Sequence, residues 1–156
     1  MSILEGLAQW PGALLLQRSG TAYLLVSAAH ILGIGLLLGG ILPLDARLAG
    51  GRADSRLGFV APALWRTARL GLALALLTGA WLFSVKPAAY AANPAGWAKA
   101  ALLALALVNI VLQHRDPRLK EALSGGAVPA SVRVRAVLSM LLWLGVLVSG
   151  RWIGFV

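Results

Sequence analysis

The sequence has no cysteine, and among its 156 residues it has only five acidic residues and two histidines. The absence of cysteine excludes disulfides, iron–sulfur clusters and thiolate metal sites. Charged residues make up 12% of the chain, whereas soluble domains carry about 25%. The chain therefore lacks the polar surface that would keep it dissolved. We expect the few carboxylates at or outside the membrane interfaces, which makes an enzyme acting on a bound substrate the least supported function.

Apolar residues make up 60% of the chain, and glycine is abundant. A helix needs about 20 residues to cross a bilayer, and four apolar stretches are close to that length. We predict an all-α integral membrane protein, a four-transmembrane-helix bundle that forms one domain over residues 1–156. The expected spans are about 21–44, 63–85, 95–114 and 135–153.

The basic residues orient this bundle. Ten of the 14 lie in or beside the 45–70 and 114–135 segments, which share one side of a four-span bundle. The positive-inside rule then places both termini in the periplasm of a bacterial inner membrane. Anionic headgroups account for basic residues between spans, so the net charge of +9 does not indicate nucleic acid. The expected partner is the lipid bilayer.

Two short interfacial helices are predicted outside the spans. One lies at the N-terminus and ends near Trp10. The other lies between spans three and four, where Asp116 has the position of a helix cap and Pro117 suits the first helical position. Gly125 is the expected stop of this second short helix.

Small residues recur at spacing four on two of the spans. They are Gly35 and Gly39 of the first span and Gly71, Ala75 and Gly79 of the second. Small residues let helix backbones approach closely in lipid, so packing within the bundle is the first expectation. A homodimer, or a larger membrane complex joined through these Gly/Ala faces, is the alternative.

One imidazole, that of His30, lies inside the first span, in a run without any charge. An ionisable residue at membrane depth is expensive, and its presence is by default a functional hypothesis. The alternative is a neutral imidazole that hydrogen-bonds to a neighbouring helix. We take His30 as the leading candidate ligand of a metal or cofactor.

A polar stripe on the third span supplies candidate partners for His30. Its members fall within about 140° on a helical wheel, and they are Lys99, Ala106, Asn109, Gln113 and His114. At 1.5 Å per residue, His30 lies about 14 Å from the outer surface and His114 roughly 28 Å. One iron therefore cannot take both histidines of a single chain, and His114 remains a separate candidate metal ligand. Lys99, about 6 Å deep, has a stem long enough to reach towards His30.

The choice of cofactor follows from the ligands available. Cu(I) prefers soft ligands, and the chain offers only Met1 and Met140 of that kind. Haem needs one or two protein ligands and an apolar slot, so haem b is the expected cofactor and copper is the alternative. Lys99 and Asn109 are candidate cofactor-binding residues beside His30.

Two arginines of the second span, Arg66 and Arg69, have two possible uses. In one, they form a headgroup-level ion-pair network with Asp45. In the other, they bind an anion such as a lipid phosphate or a porphyrin propionate, which makes them candidate cofactor-binding residues as well.

Two consecutive stretches of the chain carry a resemblance to known families. They read SGTAYLLVSAAHILGIGLLLGGILPLDARLAG and LTGAWLFSVKPAAYAANPAGWAKAALLALALVN. The chain resembles an uncharacterised bacterial family of four-helix inner-membrane proteins. More remotely, its layout is similar to CopD-like copper-resistance domains and to HemJ-type protoporphyrinogen oxidases. The HemJ resemblance implies a haem-related pair made of His30 and Lys99.

The resulting functional expectation is a small inner-membrane haem-binding protein that passes electrons or serves a haem- or copper-related process. Its alternatives are a non-catalytic accessory subunit of a larger membrane complex and a copper transport domain.

Overall fold

The computed structural model describes residues 3–51 and 56–155, and among these residues it contains eight helices and no strand. The helices are α1 (Ile3–Gln9), α2 (Pro11–Arg18), α3 (Gly20–Ala49), α4 (Leu57–Phe83), α5 (Pro87–Ala92), α6 (Pro94–Arg115), α7 (Pro117–Leu123) and α8 (Ala130–Trp152). The predicted all-α architecture is confirmed.

Four of these helices, α3, α4, α6 and α8, are long and apolar enough to span a membrane. Three of them, α3, α4 and α8, extend well past the predicted span limits. In α3 and α4 the reason is that a proline does not act as a terminator. Pro43 lies inside α3 and Pro62 inside α4. Membrane helices tolerate proline where neighbouring helices satisfy the freed backbone groups. With 30 residues, α3 is about 45 Å long and exceeds the hydrocarbon thickness of about 30 Å.

The bundle has two ends, which we name after the short helices that lie there. The α5 end contains the starts of α3 and α6 and the ends of α4 and α8, and a hydrogen bond from Asn93 to the Ile153 carbonyl joins two of these termini. The α7 end contains the opposite termini of the same four helices. His30 lies towards the α5 end, and Asp45 lies towards the α7 end.

The closest helix contact in the bundle is between α3 and α4. A Cβ atom added at Gly71 would lie only 2.3 Å from the Leu37 nitrogen, and one added at Gly40 would lie 2.6 Å from the Leu64 carbonyl oxygen. Only glycine permits this approach of two backbones. The small residues of the second span therefore pack within the bundle, whereas Gly35 and Gly39 of α3 face open space.

The core joins this pair of helices to α6 and α8. Near mid-bundle, Trp143 of α8 is 2% exposed and packs with Leu37 and Ile41 of α3 and Ala106 of α6. A second cluster at the α7 end packs α7 against α3, α4 and α8.

The short helices are fixed by caps and by tryptophan side chains. Asp116 accepts a hydrogen bond from the Arg118 N–H and caps α7, as predicted, and it also pairs with Arg135 at 2.7 Å. Gly125 follows α7 with a φ of +88°, which suits its predicted role as the stop. At the N-terminus, one helix was predicted and the structure has two, because the chain bends at Trp10 and resumes at Pro11. The Trp81 indole donates to the Gly12 carbonyl at 2.8 Å and holds α2 against α4.

Candidate functional site

The imidazole of His30 lies between α3 and α4, half-buried, with its Nδ1 3.0 Å from the Thr78 hydroxyl oxygen. That hydroxyl donates its single hydrogen to the Leu74 carbonyl at 2.6 Å. The Thr78 oxygen can therefore only accept from the imidazole, so Nδ1 carries the hydrogen. In the neutral ring, the lone pair then resides on Nε2.

This arrangement is the one found around metal-bound histidines. A ligating histidine nearly always donates its other ring N–H to a carboxylate, a carbonyl or a water, which fixes the tautomer and the orientation of the ring. The Thr78 hydroxyl has the same acceptor role here. Thr78 is itself buried, so its rotamer and its bond to Leu74 are held by packing.

The ring also depends on a glycine of α4. A Cβ atom at Gly79 would lie 3.0 Å from Cε1 of His30 and 3.5 Å from Nδ1. The stripe of small residues on the second span thus has two uses. Gly71 and Ala75 accommodate the backbone of α3, and Gly79 leaves room for the imidazole.

Lys99 is the member of the polar stripe that lies at the same end of the bundle as His30, near the start of α6. Its stem lies against Gly150 of α8, with Nζ 3.4 Å from the position of a Cβ there, and its ammonium acts electrostatically on the imidazole. The α5 end of the bundle therefore carries one imidazole on α3 and one amine on α6.

The remaining polar residues of α6 lie at other depths. Asn109 is buried and donates to the Arg135 carbonyl at 3.1 Å. His114 donates from Nδ1 to the Ile110 carbonyl at 2.9 Å, and its ring stacks on Trp65. Fifteen residues separate Lys99 from His114, about 22 Å along the helix. The structure therefore does not bring His114 or Asn109 to His30 within one chain.

Arg66 and Arg69 are likewise distant from His30. They precede Thr78 by 12 and 9 residues, about 18 and 14 Å along α4. Both side chains are exposed, and Arg69 donates to the Trp65 carbonyl of its own helix. The structure thus places neither arginine beside the imidazole.

The ion-pair network expected between these arginines and Asp45 is not what the structure shows. Asp45 is 4% exposed and lies inside the bundle, where it lines the same small cavity as Ser139 of α8. Its carboxyl oxygen Oδ2 has no hydrogen-bond partner. The prediction was wrong because Pro43 was taken as the end of the span, whereas α3 continues to Ala49 and carries Asp45 on its buried face.

A cavity of about 20 Å³ adjoins Asp45 at the α7 end. Its polar lining comes from Asp45, Asn109, Gln113, His114 and Ser139. Gln113 is also buried, and its Oε1 has no hydrogen-bond partner. The sequence did contain a signal for this site, because Leu37, Ile41, Asp45 and Leu48 follow helical spacing on one face.

A larger groove of about 340 Å³ lies at the α5 end, lined by Pro94, Ala95, Ala98, Ser149 and Trp152. His30 lines neither this groove nor the cavity beside Asp45. Across residues 3–51 and 56–155, no three side chains of His, Cys, Asp or Glu group together in a way that could hold a metal ion. A metal ion bound at His30 would therefore need most of its ligands from a cofactor rather than from the described side chains.

Comparison with protein families matches residues 14–156 to one described as a family of unknown function, DUF6644. The chain belongs to the DUF6644 family. The match contains His30, Thr78 and Lys99 at the α5 end and Asp45 and Gln113 at the α7 end. Comparisons with curated proteins and with solved structures each find no match.

Proposed function

We propose that this DUF6644 protein is a small membrane haem protein that holds haem b through Nε2 of His30. The observation that carries the proposal is the hydrogen bond from His30 to Thr78. It keeps the hydrogen of the neutral ring on Nδ1 and leaves the lone pair of Nε2 free to bind a metal. The donor chemistry fits haem iron, because a porphyrin brings four of the metal's ligands and needs only one or two from the protein.

When bound, the haem would supply a one-electron redox centre within the membrane. The residues of the chain supply its environment. Thr78 orients the imidazole, Gly79 leaves the space that the ring occupies, and the packing of α3 on α4 holds both in register. Lys99 would have one of two roles. It would add positive charge at the same end of the bundle as the imidazole, or it would supply a second nitrogen ligand beside His30.

The visible spectrum of the detergent-purified protein tests this proposal. We expect a Soret band that His30→Ala abolishes and that His114→Ala leaves unchanged, because His114 lies at the opposite end of the bundle. Lys99→Met separates its two roles. If Lys99 is a ligand, the substitution shifts the spectrum of the bound haem. If Lys99 acts only as a charge, the substitution shifts the reduction potential and leaves the spectrum unchanged. A colourless protein that contains copper, removed by His30→Ala, would replace haem by the copper alternative.

A second candidate function, a non-catalytic subunit of a larger membrane complex, is favoured by the open face of α3. Gly35 and Gly39 are exposed and have no atom within contact distance of an added Cβ. We expect Gly39→Leu to release a partner, or a second copy of the chain, that co-purifies with the wild type. Gly20→Leu is the matched control, since Gly20 is an exposed glycine of the same helix outside the GxxxG pair.

We also propose that the protein spans the bacterial inner membrane with its α5 end towards the periplasm. The charge distribution supports this orientation, because the α7 end carries most of the basic residues. Reporter fusions at the C-terminus test it. A fluorescent protein that folds only in the cytoplasm should stay dark, and a periplasmic phosphatase should be active.

A further inference from the structure

The polar cavity beside Asp45 plays no part in the proposed haem site, which lies towards the other end of the bundle. Two buried oxygen atoms adjoin this cavity, Oδ2 of Asp45 and Oε1 of Gln113, and neither has a hydrogen-bond partner in the protein. Buried polar atoms are normally paired, so each unpaired one calls for a ligand, a water or a proton. Two acceptors cannot hydrogen-bond to each other, so the hydrogen that either needs must come from a proton or a water in the cavity.

The size of the cavity limits what it can hold. Its volume of about 20 Å³ exceeds the 10–15 Å³ or so that one water molecule needs, and it leaves no room for a larger ligand. A water molecule can accept one hydrogen bond and donate another. It can therefore join Asp45 to Gln113 when one of the two unpaired oxygens carries a proton.

The charge of Asp45 is the second constraint. An ionised carboxylate buried without a cationic partner costs several kcal/mol. Three arginines that the structure describes at this end of the bundle are used elsewhere or face outward. Arg135 pairs with Asp116, while Arg66 and Arg69 are exposed on the outside of α4. Ser139 contributes a hydroxyl rather than a charge.

Neither a metal cation nor His114 fits the role of neutralising Asp45. Hard metal cations take about six or more oxygen ligands. The side-chain oxygens of the lining come from Asp45, Asn109, Gln113 and Ser139, and its other members include the apolar side chains Ile41, Leu44, Leu48, Ile110 and Leu119. His114, the one other titratable side chain in the lining, donates from Nδ1 to the Ile110 carbonyl and does not hydrogen-bond to Oδ2 of Asp45.

We propose that Asp45 is a proton-binding site within the membrane bundle, where its carboxyl group holds one proton and shares a water molecule with Gln113. Protonation forms an O–H bond at Oδ2, and the proton comes from water or a buffer acid at the α7 end. The Oδ2 hydroxyl donates to the cavity water, and that water donates to Oε1 of Gln113. His114 is exposed and also lines the cavity, so this side chain adjoins both the cavity and the outside of the bundle.

Infrared spectroscopy of the full-length protein in detergent tests the proposal, because the chain has only five carboxyl side chains. We expect the carbonyl band of one protonated carboxylic acid at neutral pH, shifted to lower frequency in D2O. Asp45→Asn should remove this band. Asp116→Asn should leave it in place, since hydrogen bonds from the Arg118 N–H and from Arg135 hold the pKa of Asp116 below its ordinary value.

Three results would overturn the proposal. One is the absence of a carboxylic acid band in the wild type at neutral pH, which is decisive even if Asp45→Asn does not fold. Another is a band that survives in Asp45→Asn. The last is a melting temperature that rises with sodium chloride, does not rise with choline chloride, and loses this response in Asp45→Asn, which would assign the site to a metal cation.

Discussion

Replacement of Gly71 by alanine tests the helix contact that positions His30. The added Cβ would lie 2.3 Å from the Leu37 nitrogen and 2.7 Å from the Gly33 carbonyl oxygen. Both are backbone atoms, so no side-chain rotation can relieve the overlap. Gly35 offers a matched control on α3, because a Cβ there meets no atom within 4 Å.

The size of the effect follows from the overlap. To move from 2.3 Å to the 3.4 Å at which ordinary contacts begin, α3 and α4 must separate by about 1.1 Å. A gap of about 0.5–1 Å loses a quarter to a half of the dispersion energy of the atoms involved, and overpacking typically costs about 1–3 kcal/mol. We take about 3 kcal/mol here, since the whole contact must open. Alanine recovers about 1 kcal/mol of helix propensity, which leaves Gly71→Ala about 2 kcal/mol less stable than the wild type.

Reversible unfolding in mixed detergent micelles measures both variants. Gly35→Ala should match the wild type or gain up to about 1 kcal/mol, because only helix propensity changes. We also expect Gly71→Ala to bind less haem than Gly35→Ala, since the separation of the helices moves His30 away from Thr78. Equal stability of Gly71→Ala and Gly35→Ala would refute the close α3–α4 approach and, with it, the position of the imidazole.

Three further predictions concern the same framework. Gly79→Ala should displace the His30 ring and weaken haem binding by about tenfold, as loss of an orienting contact does at metal sites; titration with haem measures this, and unchanged affinity would contradict the role of Gly79. Trp81→Phe should cost about 1 kcal/mol through loss of the hydrogen bond to Gly12, read as a lower melting temperature, and no change would show that α2 is not held by this bond. Asp116→Asn should lower the melting temperature at neutral pH and cease to do so in acid. The Arg118 N–H, followed by Arg135, lowers the pKa of Asp116, so its stabilisation is present above the ordinary carboxyl pKa and is lost as pH falls through the lowered folded-state value; a pH-independent difference would exclude this account.

The four long helices were predictable because hydropathy and length are sufficient signals in a membrane protein. Their limits were not, since Pro43 and Pro62 read as terminators in a soluble protein and lie inside helices here. The cap of α7 at Asp116 was predictable, because capping depends on residues within one short segment.

The two polar sites differ in how far the sequence could reveal them. His30 stands out because an imidazole is rare in an uncharged run, but its partner Thr78 depends on the register between two helices, which no local pattern encodes. The neighbours of Asp45 in the sequence, Pro43 and Arg47, led to the prediction that it lies at the membrane surface. Only the continuation of α3 to Ala49 shows that this carboxyl group faces the interior.

The most direct test of the proposed function is the haem content of His30→Gly with and without added imidazole. The account predicts that the purified variant is colourless and that free imidazole, which supplies the missing nitrogen ligand, restores a Soret band on addition of haem. Thr78→Val in the same experiment should bind haem with a higher reduction potential or lower affinity, because the ring loses its acceptor at Nδ1 and becomes a weaker electron donor. A His30→Gly variant that retains the haem of the wild type, or a wild type that binds no haem when supplied with it, would contradict the central claim.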